Sequence, residues 1–101
     1  MAGRPPGLTW SKDAREALRK IADYLDSFSP RAAQETVLRI LARAEQGLDY
    51  PDSGRIVPEL ADSDTREFIE GTYRIVYRRG KEAVTVVAVF DARMPIPGDL
   101  S

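Results

Sequence analysis

The spacing of apolar residues changes once along this chain, from a helical repeat to the alternation of strands. Between residues 12 and 48, apolar side chains recur every three or four positions, which places them on one face of a helix. Between residues 65 and 90 they alternate or run without interruption, as they do in strands. Helices that precede the strands, instead of alternating with them, are typical of α+β proteins. The sequence therefore predicts an α+β domain with its helices first and its sheet second.

Two helix starts predict a helical hairpin in the first half. Ser11 has the chemistry of an N-cap for a helix over residues 12–27. Ser29 is the next N-cap, and Pro30 occupies the first helical position, where its missing N–H is no loss. Gly47 is expected to end this second helix. Because only two or three residues separate the helices, they must fold back on each other.

Three successive strands are predicted in the second half. Residues 65–70, 73–79 and 84–90 have strand patterns, and short glycine-containing turns separate them. The last of the three is apolar on both faces, as expected for a central strand. Residues 8–10 are short, apolar and β-prone, and predict a brief first strand. The predicted fold is a short N-terminal strand, a two-helix hairpin and a three-stranded antiparallel meander.

The chain is expected to form one domain with short ends. Residues 1–7 are rich in glycine and proline and predict a flexible N-terminal arm. Residues 8–94 form the predicted domain, and residues 95–101 form a C-terminal tail because Pro95 cannot continue a strand. No apolar stretch is long enough to span a bilayer, so we expect no membrane contact and a cytoplasmic location.

Two absent residue types restrict the chemistry. The 101 residues include no cysteine, which excludes disulfides and thiolate metal sites. They also include no histidine, which removes the commonest general acid/base and the commonest metal ligand. No calcium loop of the D-x-D-x-D-G type is present either. We therefore expect no metal and no cofactor.

Charge is distributed unevenly although the net charge is only −1. Residues 49–70 hold seven acids and two bases, whereas residues 73–82 hold four bases and one acid. Arg74 and Arg78 share one face of a predicted strand, and we expect Arg74 to be exposed there. Whether Arg93 lies near them depends on the strand register. A mixed-charge surface and a face that binds anions or protein are both compatible with this pattern.

A series of spaced motifs in the second half resembles a known family. Trp10 and the Ser-Pro start of the second helix agree with it, and the resemblance covers roughly residues 8–93. The family is the ParE branch of the ParE/RelE toxins, the toxin halves of bacterial type II toxin–antitoxin pairs. The motifs that carry the resemblance are Leu48-x-x-Pro51-x-x-Gly54-Arg55-x-Val57-Pro58-Glu59, Arg66-Glu67 and Tyr73-Arg74-Ile75-Val76-Tyr77-Arg78.

The loop motif within this series consists of Gly54, Arg55, Pro58 and Glu59. Gly54 is expected to adopt a positive φ angle that turns the loop back. Pro58 restricts the residue before it to extended geometry and so directs Glu59 towards the sheet. The motif serves either loop architecture or contact with a target, and the sequence leaves both open.

The resemblance implies a toxin that poisons DNA gyrase by binding, with no sequence-specific DNA binding of its own. It also implies a ParD-like antitoxin and a hetero-oligomer of the two proteins. The antitoxin tail would bury apolar residues in a groove beside the helical hairpin, and its acids would meet arginines of the sheet. The residues expected to contact the target or the antitoxin are Arg74, Arg78, Arg79, Arg93, Leu25 and Phe28.

Two alternatives stay open beside the gyrase poison. The first is a ribosome-dependent mRNA interferase of the RelE type, for which the resemblance would assign catalysis to Arg74, Arg93 and Glu59. That machinery is incomplete, because residues 90–93 at the end of the last strand contain no His or Tyr to act as a proton donor. The second alternative is an inactive interaction module with a toxin fold.

Overall fold

The fold is one sheet with a pair of helices on one face. The structure, a computed structural model, describes residues 7–100 apart from the side chain of Asp99. Its helices are α1 (Lys12–Asp26) and α2 (Pro30–Asp49). Its strands are β1 (Gly7–Trp10), β2 (Arg55–Ile56), β3 (Thr65–Glu70), β4 (Tyr73–Arg79) and β5 (Ala83–Asp91). A 3-10 turn (Gly98–Leu100) follows in the C-terminal tail.

The sheet confirms the predicted meander and adds one strand to the prediction. Its order is β1-β5-β4-β3-β2, in which β3, β4 and β5 pair antiparallel in succession. β1 pairs parallel with β5 and forms the edge of the sheet opposite β2. β2 is a two-residue strand that pairs antiparallel with β3, inside a segment that was expected to be irregular. Residues 1–6 of the predicted arm lie outside the described residues, and Gly7 begins β1.

Side-chain caps confirm both predicted helix starts. The Ser11 hydroxyl accepts a hydrogen bond from the Ala14 N–H at 3.0 Å, and the Ser29 hydroxyl accepts one from the Ala32 N–H at 3.2 Å. Pro30 lies in the first turn of α2. No helix within residues 7–100 is long and apolar enough to cross a membrane.

The expected helix stop at Gly47 is wrong. α2 continues through Gly47 to Asp49, and Gly47 is buried. A Cβ atom at this position would lie 3.2 Å from Phe68 Cε2 and 3.5 Å from Tyr77 Cε1. Gly47 therefore lets the end of α2 lie close against the aromatic rings of the sheet, instead of ending the helix.

A β-bulge changes which residues of β5 face the helices. Val76 pairs with Ala88, while the next residue, Tyr77, pairs with Val86, so Val87 has no partner across the ladder. Val86 lies in the core on the helix side, and Ala88 lies in a second core on the opposite face. The helix-side core consists of Ala14, Ile40, Ala44, Ile75, Val86 and Val89.

The second face of the sheet is covered by a loop and by the C-terminal tail. Val57 and Leu60 come from the loop, and Ile96 and Leu100 come from the tail; all four pack on the sheet residues around Val76. Both faces of β5 are thus buried, which confirms its expected central position.

Candidate functional site

The loop between α2 and β3 is fastened to the sheet by one tyrosine. The Tyr77 hydroxyl accepts a hydrogen bond from the Gly54 N–H at 3.0 Å and donates one to the Pro51 carbonyl at 2.7 Å. The positive φ expected for Gly54 is wrong: within residues 7–100, the only glycine with positive φ is Gly71. Gly54 is required for space, because a Cβ atom there would lie 2.5 Å from the Tyr77 hydroxyl oxygen.

Arg74 lies at the centre of an ion-pair network on the second face of the sheet. Its Nε donates to Glu67 Oε1 at 2.6 Å, and its two terminal nitrogens donate to the Glu59 carboxylate at 2.7 and 2.8 Å. Arg55 Nε donates to the other oxygen of Glu67 at 2.6 Å. The Arg74 guanidinium carbon lies 5.1 Å from the centre of the Phe90 ring. We call Arg55, Glu59, Glu67 and Arg74 the Arg74 network.

The exposed position expected for Arg74 is wrong. Arg74 is only 7% exposed and Glu67 only 1%. The strand pattern places Arg74 on the correct face, but the loop and the partner carboxylates cover it. Arg55 pairs with Glu67, not with Glu59 as its closeness along the chain would suggest.

The Arg74 network disfavours proton transfer. Hydrogen bonds from Arg74 lower the pKa of Glu59 to about 2, and the same contacts raise the pKa of Arg74 further above its ordinary value. Near neutral pH, Glu59 is a weak base and Arg74 does not release a proton. The network can hold the loop and fix a guanidinium in place, and it lacks a group poised for acid–base chemistry.

The other arginines of β4 differ in their partners. Arg79 pairs with Asp52 and with Asp64, which lie near the two ends of the loop over residues 50–64. We call this segment the acidic loop, and the two ion pairs hold both of its ends against the sheet. Arg78 is exposed and reaches only the Thr65 hydroxyl, at 3.4 Å; no carboxylate pairs with it within the described part of the chain. Arg79 is therefore neutralised by acids of the loop, whereas Arg78 acts on Asp62 only through a longer-range attraction.

Arg93 lies apart from the Arg74 network. It forms a bidentate ion pair with Asp91, with nitrogen–oxygen distances of 3.0 and 2.6 Å, and this pair lowers the pKa of Asp91 to about 2. Tyr24 and Tyr73 line one cavity together with Asp91, and burial raises the pKa of Tyr73. These two phenols lie at the end of the sheet where the sequence offered no His or Tyr in residues 90–93.

An apolar groove runs between α1 and α2, beside the edge strand β1. It has a volume of about 530 Å³, and Arg15 and Arg19 are the only charged side chains among its lining residues. Its lining consists of Trp10, Arg15, Leu18, Arg19, Ala22, Val37 and Leu41. We call this the hairpin groove. Sequence reasoning placed a groove beside the helices but did not identify Val37 and Leu41, whose exposed side is visible only once the helices are packed.

The two apolar contact residues expected on α1 lie outside the hairpin groove. Leu25 lines a separate cavity of about 290 Å³ together with Arg39 and Tyr73. Phe28 is 72% exposed and packs edge-to-face on Tyr24, with ring centres 5.1 Å apart. Within residues 7–100, no group of three or more acidic side chains is arranged to hold a metal ion.

Two solved structures from toxin–antitoxin systems have a similar fold. A chain of the chromosomal ParDE system from P. aeruginosa superposes with a TM-score of 0.68 and 18% identity, covering 85% of this chain and 95% of that one. A chain of the RelBE2 complex from Mycobacterium tuberculosis superposes with a TM-score of 0.60 and 21% identity, covering 87% and 99%. At these identities the likeness establishes the fold alone.

Sequence comparisons supply the family. Toxin RelE2 of Caulobacter vibrioides is 37% identical over 62 residues, which are 61% of this chain and 66% of that relative's length. The family model for the ParE toxin of the type II toxin–antitoxin system parDE matches residues 8–96, nearly the whole described fold. The chain therefore belongs to the ParE toxin family of type II toxin–antitoxin systems, within the ParE/RelE superfamily.

Proposed function

We propose that this toxin poisons DNA gyrase by binding, without catalysing a reaction of its own. The observation that carries this proposal is the state of Arg74, whose nitrogens are all engaged by Glu59 and Glu67. While Glu59 holds its two terminal nitrogens, Arg74 is not free to stabilise a reacting phosphate, and the adjacent carboxylate is too weakly basic to activate a nucleophile. Membership of the ParE family also supports binding as the mode of action.

A ParD-like antitoxin is the proposed partner, in a cytoplasmic hetero-oligomer. The hairpin groove supports this proposal, because an apolar floor flanked by Arg15 and Arg19 suits an amphipathic segment that carries acids at its edges. Trp10 joins the groove to the edge strand β1, which offers backbone groups for an extended segment of the same partner. Likeness to chains of ParDE and RelBE2 complexes agrees with this arrangement.

A matched pair of variants tests the groove. Leu41 lines the hairpin groove and is 38% exposed, whereas Ile56 is 42% exposed and lies on β2, at the opposite edge of the sheet from β1. Leu41→Asp is expected to weaken binding of the antitoxin encoded beside this toxin by at least about tenfold, because it places a charge against apolar side chains. Ile56→Asp should leave binding unchanged. Equal effects from the two variants would place the antitoxin elsewhere.

A DNA supercoiling assay with purified gyrase tests the proposed target directly. Purified toxin, freed of antitoxin and shown to be folded, is added to gyrase with relaxed plasmid and ATP. Accumulation of linear, cleaved plasmid that the antitoxin prevents is the expected result. Arg78→Ala should reduce this effect, because Arg78 is the β4 arginine without a carboxylate partner. Normal supercoiling with folded toxin would refute gyrase as the target.

A ribosome-dependent ribonuclease is the second candidate. The observation that favours it is the 37% identity over 62 residues to a relative named as a RelE toxin. The fold also brings Glu59 and Arg74, two residues of the assigned catalytic set, into contact. The third, Arg93, pairs with Asp91 instead. Translating ribosomes with a defined mRNA, assayed in parallel with gyrase, separate the two candidates. Cleavage of the mRNA only in the presence of ribosomes would favour this candidate, and inactivity in both assays would favour an inactive interaction module.

A further inference from the structure

Arg74 is held in place by two groups that belong to the sheet itself. Glu67 on β3 accepts from Arg74 Nε at 2.6 Å and is 1% exposed, so it cannot leave without breaking the core. The Phe90 ring on β5 supports the flat side of the guanidinium at 5.1 Å. These contacts fix the orientation of the guanidinium and direct its two terminal nitrogens to the remaining member of the network, Glu59.

Glu59 differs from Glu67 in where it lies and in how it is held. It belongs to the loop instead of the sheet, and its side chain is 39% exposed. Arg74 is the only side chain that binds the Glu59 carboxylate by an ion pair or a hydrogen bond within the described chain. The carboxylate can therefore rotate into water without displacing any core residue. An exposed, bidentate carboxylate on a fixed guanidinium has the geometry of a bound oxyanion ligand.

We propose that the Arg74 guanidinium is an oxyanion-binding site whose resident ligand is the toxin's own Glu59. An external phosphate or carboxylate occupies the two terminal nitrogens of Arg74 when Glu59 moves away. The charges of the network agree with this: two arginines balance two carboxylates, so removal of Glu59 leaves one positive charge that an external anion neutralises. The site is independent of whether gyrase or the ribosome is the target.

Inorganic phosphate is a suitable probe of this site. The wild type, Glu59→Gln and Glu59→Ala are titrated with phosphate, while NMR follows the Arg74 Nε–H and the Phe90 ring. Glu35→Gln is the matched control, because Glu35 also pairs with an arginine, Arg31 at 3.1 Å, but on the exposed surface of α2. Sodium chloride at equal ionic strength separates oxyanion binding from screening, and acetate reports whether a carboxylate suffices.

Both Glu59 variants should bind phosphate at least about tenfold more tightly than the wild type, with saturable shifts at Arg74 and Phe90 and a rise in thermal midpoint. Glu35→Gln and the chloride titration should show neither. The proposal is overturned if folded Glu59 variants respond to phosphate only as they respond to chloride. It is also overturned if the wild type binds phosphate as tightly as the variants, because Glu59 would then not occupy the site. Glu59→Ala tests the site even if Gln retains contact with Arg74.

Discussion

The phenol of Tyr77 joins the long loop to the centre of the sheet. Its ring is buried and stacks on Phe68, with ring centres 5.2 Å apart, while its hydroxyl bridges Gly54 and Pro51. Alternation along β4 predicts that Tyr77 faces inward, and the structure confirms it. The two hydrogen bonds of the hydroxyl depend on the path of the loop, which no periodicity in the sequence reports.

Tyr77→Phe removes only the hydroxyl oxygen that bridges Gly54 and Pro51. We expect the free energy of unfolding to fall by about 1–3 kcal/mol, because the buried Gly54 N–H loses its acceptor while the ring remains. Urea denaturation measures the loss. Tyr50→Phe is the control: Tyr50 is 68% exposed, and its change should stay within about 0.5 kcal/mol. Equal urea midpoints for Tyr77→Phe and the wild type would show that water replaces the bridge.

Ala61 has a backbone conformation that alanine seldom adopts. Its φ angle is 51°. Its N–H donates a hydrogen bond to the Val57 carbonyl at 3.0 Å, which closes a turn over residues 57–61. Left-handed geometry costs an L-residue roughly 1–2 kcal/mol, and glycine avoids this cost at a smaller cost in chain entropy.

Ala61→Gly should therefore raise the free energy of unfolding by up to about 1 kcal/mol. Thermal or urea denaturation measures the gain. Ala42 is exposed and lies in the middle of α2. Ala42→Gly should lower the free energy of unfolding by about 1 kcal/mol, because glycine is a poor helix former. Destabilisation by both changes would mean that the strain at Ala61 is smaller than its φ angle suggests.

Helices and strands of this toxin follow from local patterns, whereas its loop depends on long-range contacts. The caps at Ser11 and Ser29 and the antiparallel meander are predictable because each depends on neighbouring residues. β2 is not, because a two-residue strand has no periodicity and exists only through its pairing with β3. Gly47 and Gly54 suggested a helix stop and a positive φ angle, but close packing against Tyr77 explains both.

Gly54→Ala tests how the loop is joined to the sheet. Its Cβ would lie 2.5 Å from the Tyr77 hydroxyl oxygen and 2.9 Å from the Glu67 carbonyl oxygen, so the loop or the strand must move. We expect a loss of about 1–3 kcal/mol and faster hydrogen exchange at the Val57 amide, which donates to the Thr65 carbonyl at 3.3 Å.

Gly71→Ala is the control for this substitution. Gly71 has a φ angle of +60°, but a Cβ atom there meets nothing within 4 Å. Its cost should be roughly 1 kcal/mol of backbone strain, without any change in exchange at Val57. Faster exchange at Val57 in both variants would mean that general loss of stability, and not the local overlap, opens the loop.

Across the whole molecule, charges that are separate in the sequence neutralise each other in the fold. The acidic loop and the basic strand looked like two surfaces of opposite sign, but Arg74 and Arg79 bind carboxylates of that loop. Composition reports the excess of each sign in a segment and not which residues meet. The fold brings Glu59 of the loop into contact with Arg74, and it buries Arg74, which was expected to be exposed.

Acid should destabilise the fold over a defined range of pH. The pKa of Glu59 falls from 4.5 to about 2 on folding, and that of Asp91 from 3.8 to about 2. Below about pH 5 the unfolded chain takes up protons that the folded chain does not, so the free energy of unfolding decreases as the pH falls towards 2. Above pH 5 it should stay nearly level to pH 8, because the chain has no histidine.

Urea denaturation across this pH range measures the effect. Glu59→Gln should give a shallower decrease than the wild type, because one of the lowered carboxyl groups is gone. Glu35→Gln, an exposed carboxyl group on α2, is the charge control and should keep the wild-type slope. Identical slopes for Glu59→Gln and the wild type would show that the Arg74 contact does not persist in solution.

The bulge at Val87 has a consequence for how this chain tolerates changes in length. Before the bulge, Val84 and Val86 point to the helices; after it, Val89 does, so the extra residue reverses which positions serve each core. Deleting Val87 would close the bulge and leave Ala88 opposite Val76 and Val89 opposite Ile75, whereas removing one residue elsewhere in β5 would turn the residues on one side of the deletion to the other face. Homologous toxins that lengthen or shorten this strand are therefore expected to do so in the turn at Gly80, beyond Asp91 or at the bulge itself, and to keep the rest of β5 unchanged.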